Sequence, residues 1–143
     1  MLNPYILMAV LYTFLAILGA LDAALVNFDI LPFFSGLRWM RVHFITLGIV
    51  TEMAFGVLPI LIAAHHKLPH PKIRWDIWLT LNIGLLTLLI GIPIVNAVLI
   101  TTGGTLIFVA VSLLMIQLWQ IRSNQSTGHK SAGRKFYIMG FAY

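Results

Sequence analysis

Four long apolar runs constrain this chain more than any other feature of its sequence. They cover residues 4–26, 42–64, 77–95 and 97–119. A helix needs about 20 mainly apolar residues to cross a membrane, and each run is close to that length. Only 9% of the residues are charged, whereas about 25% is usual for a soluble domain. The sequence therefore predicts an all-α integral membrane bundle of four transmembrane helices, forming a single domain over residues 1–143.

The C-terminal residues FYIMGFAY form a further short apolar segment at 136–143. Eight helical residues rise only about 12 Å, which is too short to cross a membrane. We interpret the segment as the start of a fifth helix in a chain that continues past Tyr143. An interfacial tail is the alternative.

The basic residues between the apolar runs predict the orientation of the helices. Seven Lys or Arg residues lie in segments 65–76 and 120–135, and two lie in segment 27–41. Cytoplasmic loops are enriched in Lys and Arg, so we expect the N-terminus to be cytoplasmic and the chain to be integral to the cell membrane. The net charge of +5 thus reflects membrane topology. We expect membrane lipid, and not nucleic acid, as a partner.

Glu52 is the most informative polar residue, because it lies about ten residues into the second apolar run. An ionised carboxylate at this depth would be costly without a partner. The functional interpretation is a proton-relay group or a metal ligand. The structural alternative is a hydrogen-bonded residue that joins helices, with Thr105 of the fourth run as a partner at similar depth.

Two other sets of polar residues lie near the ends of the predicted helices. Asp22 is on the same side as Arg38 and Arg41, which favours an interfacial salt bridge over a site. The three histidines of the 65–76 loop are close enough in sequence to hold a metal, but prolines restrict that loop, and a solvated loop is favoured. These histidines are His65, His66 and His70.

Small and polar residues in the third and fourth runs predict close helix contacts. Glycine lets helix backbones approach each other, and amide or hydroxyl groups hydrogen-bond across helices. The residues assigned to this packing are Gly84, Gly91, Gly103, Gly104, Asn82 and Thr105. They indicate that the helices have partners, in this chain or in another.

The second run, RVHFITLGIVTEMAFGVLPILIA, places His43 at the mouth of a helix, followed by Gly48, Phe55-Gly56 and Pro59. This arrangement resembles one helix of haem–copper oxidase catalytic subunits and of nitric-oxide-reductase-like membrane proteins. The resemblance covers one helix, and it implies that His43 holds a haem or copper near the outer face. The absence of cysteine excludes thiolate ligands, so another chain would have to complete such a site.

In size and helix number the chain also looks like the small helical subunits of copper-dependent membrane monooxygenases. We therefore expect a non-catalytic, structural or accessory transmembrane subunit of a larger membrane-bound enzyme complex, of the haem- or copper-dependent oxidase or monooxygenase type. Other transmembrane subunits would be its partners. One alternative is a redox module that binds haem or copper through His43. Another is a small transporter or proton pathway that uses Glu52 and Asp22.

Overall fold

The computed structural model describes residues 3–28 and 35–123, apart from the side chains of Ser35, Leu37 and Arg38. Within these ranges the chain is entirely helical, with no strand. Its elements are α1 (Pro4–Asn27), α2 (Ser35–His43), a π-helix (Phe44–Ile49), α3 (Val50–His65), α4 (Trp75–Gly91) and α5 (Ala97–Ser123). Because α2, the π-helix and α3 follow one another without a break, they form one long helix. The described chain thus has four helical segments, and the predicted all-α fold is confirmed.

Three helical stretches are long and apolar enough to cross a membrane. They are Pro4–Asn27, Trp39–His65 and Ala97–Ser123. The fourth helix, α4, has only 17 residues, which rise about 26 Å, against a hydrocarbon core of about 30 Å. A membrane location is therefore supported by three spanning helices, and a fourth crossing by α4 stays a prediction.

The third apolar run contains both a helix and a turn. α4 ends at Gly91, and Val95 has a φ of 54°, a left-handed conformation that a β-branched residue rarely adopts. Asn96 then begins α5, because its side-chain oxygen accepts hydrogen bonds from the backbone amides two and three residues later, at 3.1 and 3.2 Å. The chain therefore reverses direction tightly, and α4 and α5 form a helical hairpin.

Glycine brings the two helices of this hairpin together. A Cβ atom placed on Gly103 would lie 2.7 Å from the backbone nitrogen of Leu88 and 2.9 Å from the carbonyl oxygen of Gly84. Gly84 and Gly91 have similarly close neighbours on α5, whereas a Cβ on Gly104 would meet nothing within 4 Å. Three of the four predicted packing glycines therefore lie inside this chain, and Gly104 lies on an outward face.

α1 packs against the long helix through one face. Its buried residues, Tyr5, Ala9, Tyr12 and Ala16, recur every three or four positions, as residues on one side of a helix do. Gly48 of the π-helix receives the Tyr12 ring, because a Cβ on Gly48 would lie 2.6 Å from the Tyr12 Cγ atom. The π-helix therefore meets α1 at its closest approach.

One end of the bundle gathers three separate parts of the chain. Asn3 caps α1 by accepting a hydrogen bond from the Tyr5 amide at 3.1 Å, and its Nδ2 donates to the Gly56 carbonyl oxygen of α3 at 3.3 Å. Asn3 also borders one crevice together with His70 of the 66–74 loop and Gln117 of α5. The start of α1 and this loop are thus on the same side, and the assignment of that side to the cytoplasm stays a prediction.

Candidate functional site

Glu52 lies in the first turn of α3, and its side chain is completely buried, with 0% exposure. Among the residues that the structure describes, neither carboxyl oxygen has a partner within hydrogen-bond distance. Burying a charge of this kind without a partner costs several kcal/mol, and an unpaired neutral carboxyl also loses the hydrogen bonds that it makes in water. The buried Glu52 carboxyl therefore lowers the stability of the fold, and ionisable residues kept inside a membrane at such a cost usually have a function.

Three other buried polar atoms without hydrogen-bond partners accompany Glu52. They are the Tyr12 hydroxyl, the Trp78 Nε1 and the Asn82 Oδ1. The Asn82 side chain lies beside Glu52, and Tyr12 is close enough for the Glu52 charge to act on it. The Trp78 backbone carbonyl lies one turn before Asn82 on α4 and accepts its hydrogen bond. We call Glu52, Tyr12 and Asn82 the polar cluster, to which α1, α3 and α4 all contribute.

The orientation of Asn82 fixes what it offers to Glu52. One hydrogen of its Nδ2 donates to the Trp78 carbonyl oxygen at 2.9 Å, which leaves the second Nδ2 hydrogen as a donor and the amide oxygen as an acceptor. An ionised Glu52 can use the N–H, and a protonated Glu52 can donate its O–H to the oxygen. Asn82 can therefore serve either protonation state of the carboxyl.

Local backbone geometry positions the carboxyl. Glu52 follows Gly48 by four residues, and Gly48 is where Tyr12 of α1 packs against the π-helix. A π-helix is rare and is frequently found at functional sites, because it widens one turn and redirects the side chains after it. The segment that brings α1 close thus also turns Glu52 into the bundle.

The contacts predicted between Thr105 and Glu52 and between Asp22 and Arg41 are both absent from the part of the chain that the structure describes. The Thr105 hydroxyl is exposed and donates to the Thr101 carbonyl oxygen of its own helix at 2.8 Å, so it does not bond to Glu52. Asp22 is half-buried and forms no ion pair with Arg41, although the Arg41 side chain passes close to α1 at Gly19. The Arg38 side chain is not among the described ones.

His43 is the last residue before the π-helix, and it is half-buried. Its Nδ1 donates to the Trp39 carbonyl oxygen at 2.7 Å, and its ring stacks on the Trp39 indole with centroids 3.8 Å apart. Since a carbonyl only accepts, Nδ1 carries the proton and Nε2 keeps a free lone pair. This is the orientation in which protein carbonyls hold metal-ligating histidines.

The loop histidines do not converge on one point. His65 and His66 stand edge to face with ring centroids 5.0 Å apart, whereas His70 borders the crevice near Asn3. Within residues 3–28 and 35–123 no group of three His, Asp or Glu side chains could hold a metal ion.

The sequence singled out Glu52, missed Tyr12 and assigned Asn82 to packing alone. Tyr12 carried no usable signal, because α1 has large apolar side chains on its exposed faces as well as on its buried one. The predicted fifth helix at 136–143 and most of the basic segment 120–135 lie outside the described residues.

The chain matches no protein-family model, no curated protein and no solved structure at a significant level.

Proposed function

We propose that this chain takes up and releases protons at Glu52 as part of a proton pathway in the membrane. The observation that carries the proposal is the completely buried carboxyl, which has no partner and lies beside further polar groups that lack partners. A carboxyl that is neutral when buried and charged when hydrated exchanges a proton whenever water reaches it. Intramembrane carboxyl groups of this kind mark proton relays.

The surroundings of Glu52 favour proton exchange over a purely structural role. A carboxyl that only joins helices would use its oxygens in hydrogen bonds, since unsatisfied buried groups are costly. Here Asn82 bonds to its own helix, and Thr105 does the same. The polar cluster therefore stabilises the fold less than an apolar substitute of the same size would.

The test is proton flux through the full chain in lipid vesicles that contain a pH-sensitive dye, with a potassium diffusion potential as driving force. We expect Glu52→Gln, which keeps the shape and removes the titratable proton, to reduce flux at least tenfold, in the range that a positioned acid–base group contributes. Thr101→Val is the control, because it removes an exposed hydroxyl of α5 that donates to the Ala97 carbonyl oxygen of its own helix and lies outside the polar cluster, and it should leave flux unchanged.

Equal flux in wild type and Glu52→Gln would contradict the proposal, as would wild-type flux no greater than that of protein-free vesicles. A loss of flux in both variants would show that any disturbance of the intramembrane helices stops the flux, and the result for Glu52→Gln would then not support a specific role of the buried carboxyl.

The role of a subunit in a larger membrane-bound enzyme complex stays a prediction. Its support is Gly104, which faces outward with nothing near its Cβ position, while Gly84, Gly91 and Gly103 are used inside the chain. A partner helix that packs on Gly104 should be released by Gly104→Leu. Affinity purification from the native membrane, with the co-purifying chains counted for wild type and variant, tests this.

A second candidate function is a redox module, which the orientation of His43 favours. With Nδ1 bonded to the Trp39 carbonyl oxygen, Nε2 is free to bind a haem iron or a copper ion, which would supply the electron-transfer chemistry. The other ligands would come from another chain. A reduced-minus-oxidised visible spectrum of gently purified protein should then show a band that His43→Ala removes, and no band in wild type would exclude this candidate.

A further inference from the structure

A crevice at the loop end of the bundle reaches α3 at Gly56, one helical turn away from Glu52. It is bordered by residues of four parts of the chain, including Asn3 and Tyr5 at the start of α1, Gly56 of α3, His70 and Arg74 of the loop, and Gln117 of α5. We call it the loop-side crevice. Its outer rim is polar and partly exposed, whereas its inner wall is formed by buried residues such as Tyr5 and Gly56.

The inner wall of the crevice is adjacent to Glu52. Gly56 lies one helical turn after Glu52, and residues four apart lie on the same face of a helix. Pro59, about one turn after Gly56 and nearer the loop, removes the amide that would otherwise donate to the Phe55 carbonyl oxygen, and both Pro59 and Phe55 border the crevice. The wall therefore offers a backbone acceptor for water close to the polar cluster.

Tyr5 connects the crevice with the carboxyl. It is only 6% exposed, yet it borders the crevice, and it packs against α3 one turn after Glu52, since a Cβ on Gly56 would lie 2.8 Å from the Tyr5 Cβ atom. Asp76 and Arg74 form an ion pair at the loop end of α4, where this helix begins. Tyr5 thus stands between a solvated charge pair and the buried carboxyl.

We infer that the loop-side crevice is the water-filled entry by which Glu52 exchanges protons, and that the Tyr5 hydroxyl relays them. This inference rests on the proposed function. In one transfer the Tyr5 oxygen accepts a proton from crevice water while its own proton passes, directly or through one water, to the Glu52 carboxylate. The tyrosine ends unchanged, and one proton has moved. The groups that face Glu52 from other elements are Tyr5 and Tyr12 of α1 and Asn82 of α4.

The entry is tested first by thiol labelling, for which the absence of native cysteine makes single-cysteine variants unambiguous. Gln117→Cys is in the crevice, and its neighbour Ile116→Cys is on the outward face of α5, where Ile116 is 50% exposed. Thiols react with charged methanethiosulfonates only as thiolates in water. We expect the full chain in vesicles to label at residue 117 and not at residue 116, although residue 116 is the more exposed.

Equal labelling of both variants, or labelling at residue 116 alone, would overturn the proposal that the loop-side crevice is a water-filled entry. This readout does not depend on Glu52, so a failed flux experiment with selective labelling at residue 117 would count against the proposed function and would leave the water-filled crevice standing.

The relay is tested by infrared spectroscopy of the Glu52 carboxyl, identified as the C=O band that Glu52→Gln removes. We expect hydrogen–deuterium exchange of this band to slow on the order of a hundredfold in Tyr5→Phe, the loss typical of a missing acid–base group. Thr13→Val, which removes a hydroxyl of α1 that donates to the Ala9 carbonyl oxygen of its own helix, is the control and should exchange at the wild-type rate. Equal exchange rates in wild type and Tyr5→Phe would overturn the relay.

Discussion

The two halves of this bundle are held together in different ways. The α4–α5 hairpin joins through glycine, with backbone against backbone at Gly84 and Gly103, and the hydroxyl groups of α5 bond to their own helix. The contact of α1 with the π-helix and α3 instead encloses Tyr12 and Glu52, whose polar atoms lack partners. In lipid, close packing is a main source of helix association, so we expect the hairpin to provide more of the stability, while the other half holds the proposed proton site.

The largest effect should come from overpacking the hairpin. Gly103→Leu places side-chain atoms within 3 Å of the backbone of α4, which cannot move without separating the helices. We expect a loss of about 3 kcal/mol or more in the free energy of unfolding, measured by denaturant titration in detergent micelles. Gly104→Leu, one position later on an open face, should change it by less than about 0.5 kcal/mol. Similar losses of unfolding free energy in both variants would show that the close contact between α4 and α5 does not make the hairpin the more stable half of the bundle.

Overpacking the other contact should cost less, because a side chain can give way. Gly48→Ala puts a methyl group against the Tyr12 ring, and we expect it to destabilise by about 2 kcal/mol. In a Tyr12→Ala background the same change should cost little, so a double-mutant cycle should report coupling of at least about 0.5 kcal/mol. Additive effects would mean that the Tyr12 ring does not rest on Gly48.

Removing the buried carboxyl should stabilise the chain while it abolishes proton exchange. Glu52→Leu replaces two unsatisfied oxygens with apolar atoms of similar size, and such replacements are neutral or stabilising by about 1 kcal/mol or more. Denaturant titration of the variant beside wild type measures this. A less stable variant would mean that the Glu52 carboxyl of wild type makes stabilising hydrogen bonds inside the membrane. The half that contains Glu52 would then not differ from the hairpin in holding polar atoms without partners.

The smallest effect concerns the ion pair at the rim of the crevice. The Arg74 guanidinium, which bonds to Asp76, lowers the pKa of that carboxyl below its ordinary value. A lowered pKa means that the stabilisation is present above the unfolded-state pKa of about 3.9 and is lost as the pH falls through the lower, folded-state value. Because Asp76 is exposed, we expect less than about 1 kcal/mol. The difference in unfolding free energy between wild type and Asp76→Asn, measured at neutral and at strongly acidic pH, should shrink on acidification.

The helices of this fold were predictable, whereas the partners of Glu52 were not. Apolar length identified α1, the long helix and α5, and one charged residue inside an apolar run identified Glu52. In a soluble protein the apolar stripe of a helix also reveals its buried face. Here lipid covers the outside, so both faces of α1 are apolar and the sequence does not show that Tyr12 points inward.

The π-helix was also invisible in the sequence. Phe44–Ile49 has the composition of an ordinary spanning helix, and the widened turn depends on how α1 packs against Gly48. The turn after Gly91 is different, because Pro93 and Asn96 are residues that punctuate helices. Continuous apolarity across residues 92–95 hid that signal, and the predicted run extended through the turn.

The short length of α4 has a consequence for the lipid around the molecule. Its 17 residues fall about 4 Å short of a typical hydrocarbon core, while α1 and α5 match or exceed that thickness. If α4 crosses the membrane as the sequence predicts, the bilayer beside it must thin, at a cost of a fraction of a kcal/mol for each ångström. The protein should therefore partition into thinner membranes, and its tilt should respond to acyl-chain length.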